Sequence, residues 1–348
     1  MKKQIFAVKD VKPSQDNLKV LGVFNPGAAL FDGKTVLLLR VAETCAEQKE
    51  GKIIIPLMGV DGLAFKEFDI SNKAYDFSDS RVIKCVDGSD RNYLTSLSHF
   101  RLAWSDDGIN FEVSDIPTIM SEGPYEEYGI EDPRINKVDG RYLITCSCVS
   151  RYGIVAGLIE TNDFKTFERK GYIFHPDNKD VVIFPRKING LYYALHRPST
   201  SEFGDLSMWL ASSSDLLRFG NHAHLLSPFK GTDRFDNYRI GSSCQPIEID
   251  GGYLEIYHGA NKQNQYKVGA MLIDKNDPRK ITKICKKPIL EPTMDFEKKG
   301  FVKDVVFACG ATLDGDELKV YYGASDDATG VATLSLHSII QEMEEFKE

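Results

Sequence analysis

Residues 129–135 read GIEDPRI. Two carboxylates, Glu131 and Asp132, stand together at the head of an otherwise apolar stretch, followed at once by Pro133 and Arg134. Two chemistries fit. Asp132 can be a turn acid before a strand, capped by Arg134. It can also be a carboxyl group aimed into a cavity, where it would donate a proton. Cations elsewhere bear on the choice. Arg40 and Arg197 end the apolar runs VLLLR (36–40) and YYALHR (192–197), Lys179 lies in HPDNKD (175–180), and Arg239 follows in NYRIG (237–241). Each alone reads as a solvated strand end. Gathered near one carboxyl, Lys179, Arg197 and Arg239 would hold a small anion, and phosphate is the obvious one. His258, in IYHGA (256–260), is either a hydrogen-bonded core histidine or part of the same site. No glycine-rich phosphate loop, nucleophile elbow or Cys/His metal set is present, so neither a metal nor a cofactor is expected.

Such residues need a scaffold that brings them together, and the chain repeats itself. Five segments share one pattern of strand, Gly-containing turn and second strand: 24–41, 130–147, 182–199, 243–260 and 307–324. Their turns are Asp32-Gly33, Asp139-Gly140, Asn189-Gly190, Gly251-Gly252 and Asp314-Gly315. Asp-Gly and Asn-Gly suit tight hairpins, and the flanking Val, Leu, Ile and Tyr suit half-buried sheets. SDDGINFEV (105–113), TNDFKTFERK (161–170) and SSSDLLRFG (212–220) recur as outer loops followed by edge strands. Five units of about four strands predict an all-β, five-bladed β-propeller, with a single domain spanning 1–348. A two-sheet sandwich is the rival, and it does not predict five copies of one hairpin. The insert 42–53 reads as a charged loop and 86–100 as a mobile one. SLHSIIQEMEEFKE (335–348) has helical apolar spacing and predicts a short C-terminal helix, docked on the propeller or on a neighbouring subunit in a homo-oligomer.

In a propeller, equivalent repeat positions converge on one axial cavity. The first strands of the hairpins begin at Asn25, Asp132, Pro185, Gln245 and Cys309. The second strands end at Arg40, Ser147, Arg197, His258 and Gly323, with Asp326 just beyond. The polar character of these positions favours a site over a purely structural repeat.

Composition narrows the partners. With 42% hydrophobic and 27% charged residues, the chain has an ordinary soluble profile, and a net charge of -8 disfavours nucleic acid. No apolar run is long enough to span a bilayer, so no membrane role is expected. The N-terminal MKKQIFAVKD lacks the apolar core of an export signal, which predicts a cytoplasmic protein whose seven cysteines stay reduced. Cys146 and Cys148, two apart, share a strand face and read as packing.

FNPGAALFDGKTVLLLRVAE, GIEDPRI, FPRKINGLYYALHRPS, GYLEIYHGA and VYYGASD together resemble glycoside hydrolase family 130, the β-mannoside phosphorylases and related mannosidases. The resemblance runs from about residue 20 to 335 with the motifs in family order. It implies a five-bladed propeller. It also implies that Asp132 is the general acid, and that Asn25, Arg40 and Asp326 hold the mannosyl residue. Glu131 and His258 complete the substrate-binding set. Lys179, Arg197, Arg239 and Tyr266 would bind phosphate. Two positions depart from a common family form: Lys179-Asp180 stands where some members carry Arg-Asn, and Arg239 where lysine is frequent.

The implied reaction is inverting phosphorolysis of a β-mannoside, giving α-mannose 1-phosphate and a shortened sugar. Inorganic phosphate is then a co-substrate that needs no general base, and the acid reaches the leaving oxygen through the mannosyl 3-hydroxyl. Glu131 and burial are expected to raise the pKa of Asp132, with Arg134 opposing. The approach DVKPSQDNLKVLGVFNPGAALF and the loop NYLTSLSHF resemble members acting on β-1,2-linked oligomannosides. A β-1,4-mannosyl phosphorylase, a phosphate-independent mannosidase and a non-catalytic sugar-binding propeller stay open beside it.

Overall fold

The structure, a computed structural model, describes residues 1–199 and 202–347. The chain enters through β1 (Lys2–Phe6) and then builds a first sheet from β2 (Leu18–Phe31) and β3 (Lys34–Cys45). An insert follows, with a hairpin of β4 (Lys52–Gly59) and β5 (Gly62–Asp69) and a small sheet of β6 (Tyr75–Asp76), β7 (Val82–Cys85) and β8 (Tyr93–Leu94). The first sheet is completed by β9 (Leu97–Ser105) and β10 (Glu112–Val113), in the order β10-β9-β3-β2. The second sheet runs β11 (Ile130–Val138), β12 (Arg141–Ser150), β13 (Gly153–Thr161) and β14 (Glu168–Phe174). The third runs β15 (Asn178–Ile183), β16 (Tyr192–Pro198), β17 (Met208–Ser213) and β18 (Gly220–Leu226).

A fourth sheet is made by β19 (Arg239–Ser242), β20 (Ile247–Ile249), β21 (Gly252–Ala260), β22 (Tyr266–Ile273) and β23 (Ile281–Cys285). After a one-turn helix α1 (Asp295–Lys298), the fifth sheet takes β24 (Val306–Asp314), β25 (Glu317–Ala324) and β26 (Ala328–Ser335). The N-terminal β1 pairs with β26, so this last sheet combines the first strand of the chain with residues 306–335. All pairings within these sheets are antiparallel, and each neighbouring pair of sheets encloses an apolar core. Val36 and Leu38 pack against Ile130 and Ile144; Leu143 and Leu158 against Ile183 and Ala194. Leu195 and Leu210 meet Tyr253 and Met271, and Leu254 and Val268 meet Val320 and Tyr322. Tyr321 and Val331 of the fifth sheet return to Leu37 and Leu39 of the first.

The five repeated hairpins are present, and three outer loops are built alike. Ser105, Thr161 and Ser213 each accept from the backbone N–H three residues on, while Asp107, Asp163 and Asp215 each accept from two further N–H groups. These side-chain turns explain why the loop sequences recur.

Three expectations change. The C-terminal helix is only α2 (Leu336–Glu342); the chain then extends as β27 (Met343–Glu345) along the open edge of β23. Met343 still buries its side chain in the core, but its backbone satisfies the exposed sheet edge instead of continuing the helix. Glu348, the last residue of the anticipated helix, lies outside the described residues. The helix packs on its own chain through Ile339. Of residues 42–53, only 46–51 form the charged loop, because β3 runs to Cys45 and β4 starts at Lys52 and continues into the apolar IIIPLM. Of 86–100, Leu97–Phe100 lie within β9 and are buried, since they pair with β3. No helix among the described residues is long and apolar enough to cross a membrane.

Gly129, just ahead of the acidic pair, has φ +104, and a Cβ there would lie 2.4 Å from the backbone N and O of Ser98. Gly129→Ala should therefore cost at least about 1–3 kcal/mol in urea-induced unfolding. A variant as stable as wild type would show that the Ile130–Asp132 backbone is not held by this contact.

Candidate active site

The local device that aims the polar residues is a β-bulge used three times. Phe24 pairs with Arg40, Glu131 with Ser147 and Lys179 with Arg197, and in each case the register slips immediately afterwards. The extra residue is Asn25 (φ 49), Asp132 (φ 52) and Asp180 (φ 57). Asn and Asp tolerate this left-handed backbone better than most side chains, and the bulge re-aims the side chain out of the strand's alternation. This corrects the repeat alignment. The third-sheet counterpart of Asp132 is Asp180, not Pro185, because β15 begins at Asn178. Gln245 instead stitches sheets together, bonding the backbone of Lys137 and of Ile183.

Asp132 is buried, and its Oδ1 accepts from Asn25 Nδ2 at 2.8 Å and from Arg40 Nη1 at 2.9 Å. The other nitrogen of the Arg40 fork reaches Glu131 Oε1 at 2.6 Å, and Arg40 Nε bonds Ser98 Oγ at 3.2 Å. Arg40 is thus no solvated terminus. Nor does Arg134 cap the Asp132 carboxylate. It donates to the Asp132 backbone carbonyl at 2.9 Å and turns its other nitrogen to Asp180 at 2.8 Å.

Asn25, Arg40, Glu131, Asp132, Lys179, Arg197, Arg239, Tyr266 and Asp326 all line one cavity of about 500 Å³. Arg197 commits its Nε to Asp180 at 2.7 Å, and Arg239 donates to the Tyr266 hydroxyl. Three cations from the third and fourth sheets therefore share a chamber with three carboxylates, two from the second sheet and one, Asp326, from the fifth. Sequence reasoning missed the apolar and distal walls. Phe24 and Phe307 line the chamber, Arg40 lies over the Phe24 ring, and Phe301 and Val302 enter from the segment before β24. Arg81 and Leu94 come from the insert. The insert has no repeat partner, so no alignment of blades could have found them.

His258 is the one expected site residue that does not line the cavity. It is fully buried, with Nε2 3.3 Å from Asp180 Oδ2 but not aligned as a hydrogen bond. Burial, against the pull of Asp180, takes its pKa down to about 4. It is a neutral core histidine packed on Phe307, the bland alternative considered for it. The seven cysteines carry free thiols, six of them buried and Cys85 half-buried. Cys146 and Cys148 pack in the core between the first two sheets.

The electrostatics overturn one expectation. Burial pushes Asp132 up, but Arg40, Lys179, Arg134 and the Asn25 amide outweigh it and hold its carboxyl below the usual aspartate value. Glu131 and Asp326 go the other way. Burial raises both, the charge of Asp132 adds to it, and Arg40 only partly opposes. Asp132 is therefore the one carboxyl of the three held below its ordinary pKa, because Arg40, Lys179 and Arg134 act on it together.

The model of glycoside hydrolase family 130, described as β-1,4-mannooligosaccharide phosphorylase, matches residues 81–345. The chain belongs to that family. Among curated proteins it is 43% identical over 340 residues to the β-1,2-mannobiose phosphorylase of Listeria innocua, covering 96% of this chain and 95% of that one. It is 38% identical to the 1,2-β-oligomannan phosphorylase of a Thermoanaerobacter species, over 72% of this chain and 83% of the relative. The solved Listeria enzyme in complex with β-1,2-mannobiose matches with a TM-score of 0.92 and 42% identity, covering 97% of this chain and 96% of that chain.

Arg40 is the cation that makes a three-carboxylate chamber tolerable. Arg40→Met should destabilise the protein by about 3–5 kcal/mol at pH 7, since it strands buried charges. Without Arg40 the carboxylates have folded pKa values above their unfolded ones, so the penalty applies above those values and fades as pH falls through them. Denaturant unfolding at pH 7 and pH 4.5 checks this; an equal loss at both would refute the charge account.

Proposed function

We propose that this protein phosphorolyses β-1,2-linked mannooligosaccharides with inversion, releasing α-mannose 1-phosphate and a sugar one unit shorter. The observation that carries the reading is the shared chamber: Asp132 lines it together with Lys179, Arg197 and Arg239, and among the described residues none of these three cations is ion-paired to a cavity carboxylate. The scaffold in this reading is a five-bladed propeller acting as one domain. Its support is the cyclic succession of inter-sheet cores, with the fifth sheet packing back on the first. The β-1,2 linkage is favoured over β-1,4 by the relative that shares 43% identity along nearly the whole chain. A cytoplasmic location belongs to the reading as well, because it retains both inorganic phosphate and a charged sugar product.

In this mechanism Lys179, Arg197 and Arg239, with the Tyr266 hydroxyl, hold phosphate on the side of the anomeric carbon opposite the leaving oxygen. Asn25, Arg40 and Asp326 hold the mannosyl unit, and Glu131 orients Arg40. A phosphate oxygen forms the new bond to the anomeric carbon as the glycosidic C–O bond breaks. The leaving oxygen takes its proton from Asp132, relayed by the mannosyl 3-hydroxyl as the family implies. A hydrolase would need a second carboxylate to activate water. Glu131 is taken up by Arg40, and Asp180, the acid paired with Arg197, is buried behind the cavity. Phosphate also resolves the low pKa of Asp132. Its negative charge cancels the cationic field and lets the acid take up a proton in the ternary complex.

Two measurements test this. Mannobiose isomers incubated with and without phosphate should give sugar 1-phosphate only with phosphate and fastest from the β-1,2 isomer. Free mannose without phosphate would indicate a hydrolase, and no turnover a binding protein. Asp132→Asn should lower kcat by about 10²–10⁴-fold, and unchanged turnover would remove Asp132 from its role. Activity should also fall as pH rises through the pKa of the acid, with that limb moving to higher pH as phosphate saturates. A limb indifferent to phosphate would contradict the charge-cancellation step.

A further inference from the structure

Behind the cavity lies a buried carboxylate that touches neither the acid's side chain nor the chamber itself. Asp180 occupies the third bulge, fully enclosed, and divides its two oxygens. Oδ1 receives Arg134 at 2.8 Å, and Oδ2 receives Arg197 Nε at 2.7 Å. Arg134 in turn donates to the backbone carbonyl of Asp132 at 2.9 Å and to that of Ser242 at 3.3 Å. One carboxylate is therefore connected to a cavity arginine on one side and to the backbone of the second bulge on the other. Burial raises its pKa, but the guanidiniums of Arg197 and Arg134 hold it well below the ordinary range, so it is an anion.

The surrounding chain makes room for this arrangement. Gly241, on β19, lies directly over it, where a Cβ would stand 2.6 Å from Asp180 Oδ2 and 2.6 Å from His258 Nε2. The neutral His258 ring closes the far side, and Phe307 packs on that ring and beneath Arg134. Glycine at 241 is thus explained by closeness to a side chain, since its φ is not positive.

We propose that Asp180 is a positioning residue for the co-substrate: it orients Arg197 toward phosphate and, through Arg134, ties that orientation to the backbone that carries Asp132. The inference rests on the phosphorylase reading. It runs against simple charge counting. An anion beside the phosphate site repels phosphate, so Asp180 acting as electrostatic ballast alone would weaken binding, and its removal would tighten it. As a positioning residue it has the opposite sign, because an Arg197 that loses its Nε anchor no longer presents its fork in a fixed direction.

The experiment uses the full chain, with inorganic phosphate titrated calorimetrically and steady-state kinetics on β-1,2-mannobiose. Asp180→Asn should weaken phosphate binding and raise the phosphate KM by about tenfold, the scale of one charge-assisted hydrogen bond. The mannobiose KM should stay within about twofold, while kcat falls through the Arg134 link. Gly241→Ala displaces the Asp180 carboxylate without removing any charge. It should raise the phosphate KM by about three- to tenfold, and it decides the matter if Asp180→Asn does not fold. A folded Asp180→Asn that binds phosphate as well as or better than wild type overturns the inference. So does an unchanged phosphate KM in Gly241→Ala. Wild-type protein that binds no phosphate overturns the phosphorylase reading and this inference together, whereas normal wild-type phosphorolysis with unaffected variants overturns the inference alone.

Discussion

The guanidinium of Arg40 holds the acidic half of the chamber together. It divides its fork between Glu131 and Asp132 while Asp326 lies in the same cavity. Three carboxylates gathered in a half-enclosed space repel one another and resist desolvation. With a delocalised cation between them the group can be built, and its charge is uneven. Asp132 is held below its usual pKa while burial pushes Glu131 and Asp326 toward their neutral forms. Lysine, a point charge with no planar fork, would not give each carboxylate its own fixed donor.

A second charged group sits one sheet away and is organised in reverse, with a single carboxylate, Asp180, between two guanidiniums. The two groups are joined through Arg134, which touches the backbone of one bulge and the side chain of the next. The candidate site is thus a set of alternating charges carried on both strands of neighbouring hairpins. Its geometry depends on the bulges, because only a left-handed residue in the strand lets a side chain leave the sheet's alternation at that level. The residue at each is Asn or Asp, which supplies both the backbone conformation and the polar group.

Much of this was legible in the chain. The five Gly-marked hairpins, their half-buried strands and the outer-loop motifs all appear where the pattern puts them, because turn chemistry and two-residue alternation are local properties. Nine of the ten expected site residues line one cavity. His258 does not, since a histidine inside an apolar strand looks the same whether its ring meets a ligand or a buried carboxylate. The repeat alignment slipped at Pro185 because the third hairpin has extra chain, residues 184–187, between β15 and its Asn189-Gly190 turn, which sets the bulge residue back to Asp180. The C-terminal segment kept its helical spacing on paper, yet its last turn became β27, since an unpaired sheet edge offered backbone bonds that the helix end lacked.

By itself the sequence determined the strands, the turns, the repeat count and which polar residues stand at strand ends, since each follows from propensity and spacing within a few residues. Tertiary structure alone decided who faces whom. It assigned Arg134 to Asp180 instead of to the carboxylate two positions away, brought Arg81 in from an unrepeated insert, and reversed the expected direction of the Asp132 pKa. Those outcomes depend on charges more than 30 residues apart in the chain meeting within 3 Å in a space that excludes most water, and Coulomb energy depends on distance and surroundings, not on order along the chain.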